Sequence, residues 1–163
     1  MLFRSSTSTS SNSVYVAKSS TDHNSGTATT VDSAFSYALG GQAAHNLVLT
    51  GTGNINGTAD SYGDHITGNK GNNVLTAGAG NDTLTSGGGT DTFVFKVGTH
   101  SDIVVGFSGH DVIDISAFKS AGYTPTLTDV GYNTVIGFSD GDQITLLGVH
   151  KSMLVSTAVG FTH

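Results

Sequence analysis

The chain has no cysteine, no tryptophan, a single proline (Pro125) and no glutamate among its 163 residues. Without cysteine there is neither a disulfide to staple the fold nor a thiol nucleophile. All twelve acidic residues are aspartate. Glutamate favours helices whereas aspartate favours turns and loops, so this imbalance predicts a β-rich, turn-rich protein. Positive charge is limited to Arg4 and five scattered lysines, which form no basic patch and argue against a nucleic-acid partner. No apolar run approaches the ~18 residues of a bilayer span. The N-terminal MLFRSSTSTSSNS has no hydrophobic stretch and does not read as a cleavable signal peptide, so export would need another route. The seven histidines (His23, His45, His65, His100, His110, His150 and His163) show no i,i+4 pairing and have no glutamate beside them. A zinc hydrolase needs such clustering, and no G-x-S-x-G elbow is present either. The chain is expected not to be an enzyme, or to be the non-catalytic C-terminal module of one.

What is present is glycine, 23 residues of it, concentrated in four tandem nine-residue steps from Ala59 to Val94: ADSYGDHIT, GNKGNNVLT, AGAGNDTLT and SGGGTDTFV. The eighth position is always apolar (Ile66, Leu75, Leu84, Phe93), and the sixth always carries an oxygen (Asp64, Asn73, Asp82, Asp91). The second and fourth positions drift toward glycine, with Asp60 and Tyr62, Asn69 and Gly71, Gly78 and Gly80, Gly87 and Gly89. Glycines allow a tight loop to turn its carbonyls inward, and the aspartate adds a charged oxygen. Hard oxygens in that number suit Ca²⁺, which takes six to eight of them. Asn/Gly and Asp/Gly turns between strands would favour the same residues for backbone reasons alone. Three consecutive loops in one phase, each followed by an apolar residue in that phase, favour the metal.

The pattern resembles the nonapeptide G-G-x-G-x-D-x-U-x of RTX proteins. One such unit makes a loop and a short strand, half a coil, so loops two repeats apart should stack on the same side. Asp64 and Asp82 then line one side, and Asn73 and Asp91 the other. The candidate calcium site residues are these four, with loop glycines Gly68, Gly71, Gly78, Gly80, Gly87 and Gly89. Bound calcium would hold the aspartates ionised, and the formal net charge of −6 would become less negative on binding.

Beyond the repeats, GAGNDTL, GGGTDTFVF and GHDVIDISAF make residues 59–118 similar to haemolysin-type calcium-binding repeats with a serralysin-like C-terminal region. The R-modules of alginate epimerases are similar too. The resemblance implies an all-β parallel β-roll, that is a β-solenoid, with Asp102 and Asp111 as further calcium ligands where the roll closes. It also implies a secreted, extracellular protein of a Gram-negative bacterium, exported by type I secretion machinery and folding on calcium outside the cell. Extracellular polysaccharide or a cell surface is the alternative partner, with Tyr62, Tyr123 and Tyr132 as sugar-stacking candidates. Asn73 in place of aspartate, and Asp60 and Tyr62 in place of glycine, imply that the first repeat binds weakly or not at all.

The chain otherwise divides into a disordered Ser/Thr-rich linker at 1–12 and one solenoid domain at 13–163. Within it, degenerate strands occupy 13–58, the nonapeptides 59–94 and a cap 95–163. Val14–Val16 and the alternating segment Thr30–Leu39 read as strands, with a polar loop from Lys18 to Thr29 between them. Both strands are expected to stack on the solenoid and cap its open end. Phe93, Phe95 and Val97 alternate, as do Ile103, Val105 and Phe107. Ser139–Asp142 between apolar runs reads as a hairpin turn, which explains Asp140 and Asp142 without a metal. Ser116–Ala121 makes one helical turn at most.

Overall fold

A computed structural model describes residues 14–17, 30–40 and 44–163. The linker assigned to 1–12 and the polar loop Lys18–Thr29 lie outside these residues. In the short strand of each nine-residue step, His65–Thr67 (β6), Val74–Thr76 (β7), Thr83–Thr85 (β8) and Thr92–Val94 (β9), only the middle, eighth-position side chain is buried. Three residues with one inward side chain are too short to hold a sheet alone. They are held by stacking, coil upon coil.

From Thr30 to Asp114, successive strands alternate between two parallel sheets. The first contains Val14–Ala17 (β1), Thr30–Ser33 (β2), Asn46–Leu49 (β4), β6, β8 and Ser101–Val105 (β10), each parallel to the next. The second contains Tyr37–Ala38 (β3), Gly57–Thr58 (β5), β7, β9 and Val112–Asp114 (β11), also parallel throughout. The result is the expected all-β parallel β-solenoid. Its interior is two facing ladders: Val31, Leu47, Ile66, Leu84 and Val104 from one sheet, Leu75, Phe93 and Ile113 from the other. All eight are fully buried. Phe93→Ala removes a ring from the middle of that stack. It is expected to cost about 3–5 kcal/mol in a calcium-loaded thermal or denaturant melt.

Antiparallel strands end both sheets on the C-terminal side. Thr126–Val130 (β12), Asn133–Gly137 (β13) and Gln143–Leu146 (β14) form a meander, and β14 lies parallel to β10. The turn before β14 is the one read from Ser139–Asp142. The turn between β12 and β13 is Gly131–Tyr132, with Gly131 at φ 64, the conformation a two-residue hairpin needs. On the other sheet, Gly160–Thr162 (β16) pairs antiparallel with β11, and Val155–Ser156 (β15) follows. A helical turn (α1, Ser116–Ser120) presents Phe118, stacked on Phe138 with centroids 3.8 Å apart. Lys151–Met153 forms a 3₁₀ turn that the sequence did not signal.

Three sequence readings are corrected. Thr30–Leu39 is not one strand. The Ser33 hydroxyl donates to the Phe35 carbonyl (2.8 Å) and accepts the Phe35 N–H (3.1 Å), turning the chain so that β2 and β3 lie in different sheets. The early strands, by contrast, do stack on the solenoid and continue its coils, since β2 to β5 keep the parallel register of the repeats. The alternation at β10 has the opposite phase: Asp102 and Val104 point inward and Ile103 is exposed. The strand after Phe93 also stops at Val94, and Val97 is exposed.

Candidate metal centre

The coils bring the sixth-position side chains into two columns, one on each side of the solenoid. In the first, the Asp64 N–H donates to Asp82 Oδ1 and the Asp82 N–H to Asp102 Oδ1, both at 2.8 Å. In the second, the Asn73 N–H donates to Asp91 Oδ1 and the Asp91 N–H to Asp111 Oδ1, again at 2.8 Å. All six residues are buried. Each carboxylate also anchors the start of its own loop. Asp64 Oδ2 accepts the Asp60 N–H, Asp82 Oδ2 the Gly78 N–H and Asp111 Oδ2 the Ser108 N–H, at 2.8, 2.9 and 2.9 Å. Asp91 Oδ2 accepts the Ser86 hydroxyl (2.6 Å), and Asp102 Oδ2 the Thr99 hydroxyl. One side chain thus ties its own loop to the coil before it.

Asp102 and Asp111 stand nine residues apart, and each precedes by two a buried apolar residue, Val104 or Ile113. The nonapeptide phase therefore resumes after a two-residue insertion, as VGTHSDIVV and GFSGHDVID. That spacing was legible in the sequence, but the glycine pattern around it is too sparse to advertise it. At the other end, His45 occupies the sixth position ahead of Leu47. Its Nδ1 lies 3.1 Å from Asp64 Oδ1, where the later coils offer a backbone N–H. Asn73 has its own reason to be an amide. Its Nδ2 donates to the Ile55 carbonyl (2.7 Å) and to Asn69 Oδ1 (2.9 Å), two acceptors that a carboxylate would repel.

Loop glycines let the loops of neighbouring coils approach closely. A side chain at Gly78 would overlap the Asp60 carbonyl, and one at Gly87 the carbonyls of Gly68 and Asn69. A Cβ at Gly80 or Gly89 would come within 2.5 or 2.6 Å of the Tyr62 or Gly71 oxygen. At the fourth position φ is positive in Gly80 (114°), Gly89 (89°), His100 (68°) and Gly109 (59°). His100 is held there by three contacts. Its N–H donates to Asp142 Oδ1 (2.9 Å), its carbonyl accepts the Gln143 N–H (2.7 Å), and its Nδ1 accepts the Gly80 N–H (3.3 Å). Asp142 Oδ2 also accepts the Gly98 N–H at 2.6 Å. Asp140 is a turn residue as expected, accepting the Asp142 N–H (3.1 Å), but Asp142 does more than shape a hairpin. It clamps the last loop of the first column.

Burial dominates the electrostatics. It pushes the Asp82 carboxyl up to about 6 and that of Asp102 up to about 7, against the hydrogen bonds they accept and with the help of neighbouring carboxylates. Asp64 and Asp111 are raised for the same first reason, although His45 pulls Asp64 and His163 pulls Asp111 the other way. A cation beside these groups would reverse the shift. Among the described residues, no three acidic or imidazole side chains converge on one point. The donors on offer are carboxylate oxygens stacked between carbonyl-rich loops, which fits Ca²⁺ and not the nitrogen and sulfur chemistry of zinc. Gly78→Ala, which would force the loop off the Asp60 carbonyl, is expected to weaken calcium binding at least tenfold in a calorimetric titration. Gly88→Ala, in open space but at φ 120, should cost stability more than affinity.

No curated protein matches the chain. Residues 58–93, the segment that builds the upper part of both columns, match the family model of the RTX calcium-binding nonapeptide repeat in four copies.

Proposed function

We propose that this chain is a calcium-dependent folding module of a protein that works outside the cell. The observation that carries the reading is the pair of buried acidic columns, Asp64–Asp82–Asp102 and Asn73–Asp91–Asp111, set among glycine loops. Buried carboxylates without a positive partner oppose folding, and calcium held by Asp64, Asp82, Asp91, Asp102 and Asp111 with the carbonyls of their loops would supply the missing charge. Gly68, Gly71, Gly78, Gly80, Gly87 and Gly89 let those carbonyls approach. A chain of this kind stays unfolded where calcium is scarce and folds where it is plentiful. That suits a C-terminal module of a type I-secreted protein similar to the serralysin-like and epimerase regions, with the chemistry of any parent enzyme carried elsewhere. No helix among the described residues is long and apolar enough to cross a membrane.

The test is a jump from chelator into graded free calcium, followed by far-ultraviolet circular dichroism. The β-signal is expected to appear cooperatively between about 10⁻⁴ and 10⁻³ M, the range of extracellular modules. Full β-signal at submicromolar calcium would refute the export logic.

A polysaccharide-binding role is the second reading. Tyr62 packs edge-on to His45 and Tyr123 against Phe118, but Tyr132 is 90% exposed at a hairpin tip. A pull-down on insoluble polysaccharide with wild type and Tyr132→Ala tests it. Retention by both, or by neither, would remove Tyr132 from the argument.

A further inference from the structure

Asn56 is the one asparagine of the chain followed directly by glycine, and the fold calls for both residues. Gly57 takes the eighth position of its step, pairing in register with Leu75 one coil on. A side chain there has no room. A Cβ would lie 2.8 Å from Ile66 Cγ2 and 3.2 Å from Leu47 Cδ2, which reach across from the facing sheet. Asn56 in turn replaces a ladder bond. In later coils the N–H that opens the strand goes to a backbone carbonyl, Thr83 to Asp64 (2.7 Å) and Thr92 to Asn73 (2.8 Å). At Val74 the matching carbonyl, that of Ile55, already accepts Asn73 Nδ2, and Asn56 Oδ1 accepts the Val74 N–H instead (3.0 Å).

An asparagine–glycine pair carries its own reaction. The Gly57 nitrogen, unshielded by a side chain, loses its proton and attacks Asn56 Cγ. The new C–N bond closes a cyclic imide, and the Cγ–Nδ2 bond breaks with release of ammonia, which takes up the proton. Water then opens the imide on either side, giving aspartate or isoaspartate. In the stacked coils this approach is blocked. The Asn56 N–H donates to Ser36 Oγ (2.9 Å), its carbonyl accepts the Tyr37 N–H (2.8 Å) and its amide oxygen is held by Val74. Gly57 is buried in β5, between Tyr37 of β3 and Leu75 of β7.

We propose that Asn56–Gly57 is a self-modification site governed by folding, deamidating in the open chain and protected in the closed coils. The site follows from this geometry, and only its control by calcium rests on the function proposed above. The two products differ in consequence. Aspartate at 56 still offers Val74 an acceptor. Isoaspartate routes the main chain through the former side chain, adding a backbone carbon ahead of Gly57. The carbonyl that receives the Tyr37 N–H becomes a free carboxylate, and Gly57 no longer meets Leu75 in register. A chain kept waiting unfolded therefore loses the ability to close its coils.

Wild type is aged in mildly alkaline buffer with calcium, with chelator and with urea, and products at each asparagine are followed by peptide mapping that separates aspartate from isoaspartate. In urea Asn56 is expected to react ahead of every other asparagine, and Asn56→Gln, compared in urea where folding plays no part, to remove those products. In calcium the reaction should be at least about tenfold slower, because it must wait for the coils to open. Chelator should match urea. Products at Asn56 forming in calcium as fast as in urea, or in urea no faster than elsewhere, would overturn the site. Equal protection in calcium and chelator, with fast reaction in urea, would uphold the site and overturn its control by calcium. Chelator-aged chains returned to calcium and separated by size should carry isoaspartate at 56 mainly in the unfolded fraction, whereas Asn56→Asp should fold. An even partition would overturn the block on folding.

Discussion

Mild acid is expected to stabilise the calcium-free chain and to destabilise the calcium-loaded one. The sign follows from the carboxyls of the two columns. In the protein's own field the folded values of Asp82 and Asp102 rise from 3.8 to about 6 and about 7, and Asp64 and Asp111 move the same way. Between the unfolded value and those folded values, the folded chain binds more protons than the unfolded one. Stability without calcium is therefore greatest near or below pH ~4 and falls as pH rises toward ~7. Ionised Asp82 and Asp102 therefore oppose the neutral, calcium-free fold. Calcium inverts the picture. It holds the carboxylates ionised, drives their folded values below the unfolded one, and gives stability that is lost as pH falls through those depressed values. In calcium-depleted buffer a cooperative melt should appear only as pH falls from 7.5 toward 4, whereas at 10 mM calcium the melting temperature should fall over the same range. The same pH response with and without calcium would mean that the aspartates are turn residues and not ligands.

The second large effect separates two neighbouring sixth positions. Asp82→Ala removes a charged oxygen from the middle of the first column and leaves the N–H groups of Asp64 and Gly78 without their acceptor. Its cost is expected to grow with calcium, reaching about 3–5 kcal/mol when the sites are filled, with affinity falling tenfold or more. Asn73→Ala instead strips the amide that bridges Ile55 and Asn69 and the acceptor of the Asn69 N–H. That loss, about 1–3 kcal/mol, should be nearly the same at partial and at saturating calcium. Denaturant melts of both variants at two calcium concentrations check it. Equal calcium dependence would refute the division of labour between a charged and a neutral rung.

Much of this arrangement was written in the spacing. A nine-residue period with an apolar eighth position can be satisfied only by short strands stacked in two sheets, so Ile66 lands over Leu84 and Leu75 over Phe93. The same period put Asp64 beside Asp82 and Asn73 beside Asp91. Where the reading erred, hydrophobic alternation overruled the repeat phase. Ile103 and Val105 look like an inward pair, yet the buried side chains are Asp102 and Val104, because each carboxylate must reach the N–H of the coil before it. His45 was invisible as a member of the first column, since no acidic residue marks its step. Asp142 was read correctly as part of a turn, but its reach to Gly98 and His100 crosses more than forty residues and has no local signature. One helical turn at most was read at Ser116–Ala121, and its packing of Phe118 on Phe138 is a tertiary fact that no window of sequence carries.

The central expectation is that the buried columns are calcium sites on which the fold depends. With dissociation constants of about 10⁻⁴–10⁻³ M, each filled site adds roughly 1.4–2.7 kcal/mol at ~10 mM calcium, so two or three supply much of a domain's stability. The most direct measurement is a calcium titration at neutral pH that reads ions bound per chain and the cooperative melt on the same samples. Two or more ions should bind over the same narrow range in which the melt appears, and excess chelator should abolish both. A melt that excess chelator leaves unmoved, with no ions bound at 10 mM calcium, would show a solenoid held by glycine turns and apolar ladders alone.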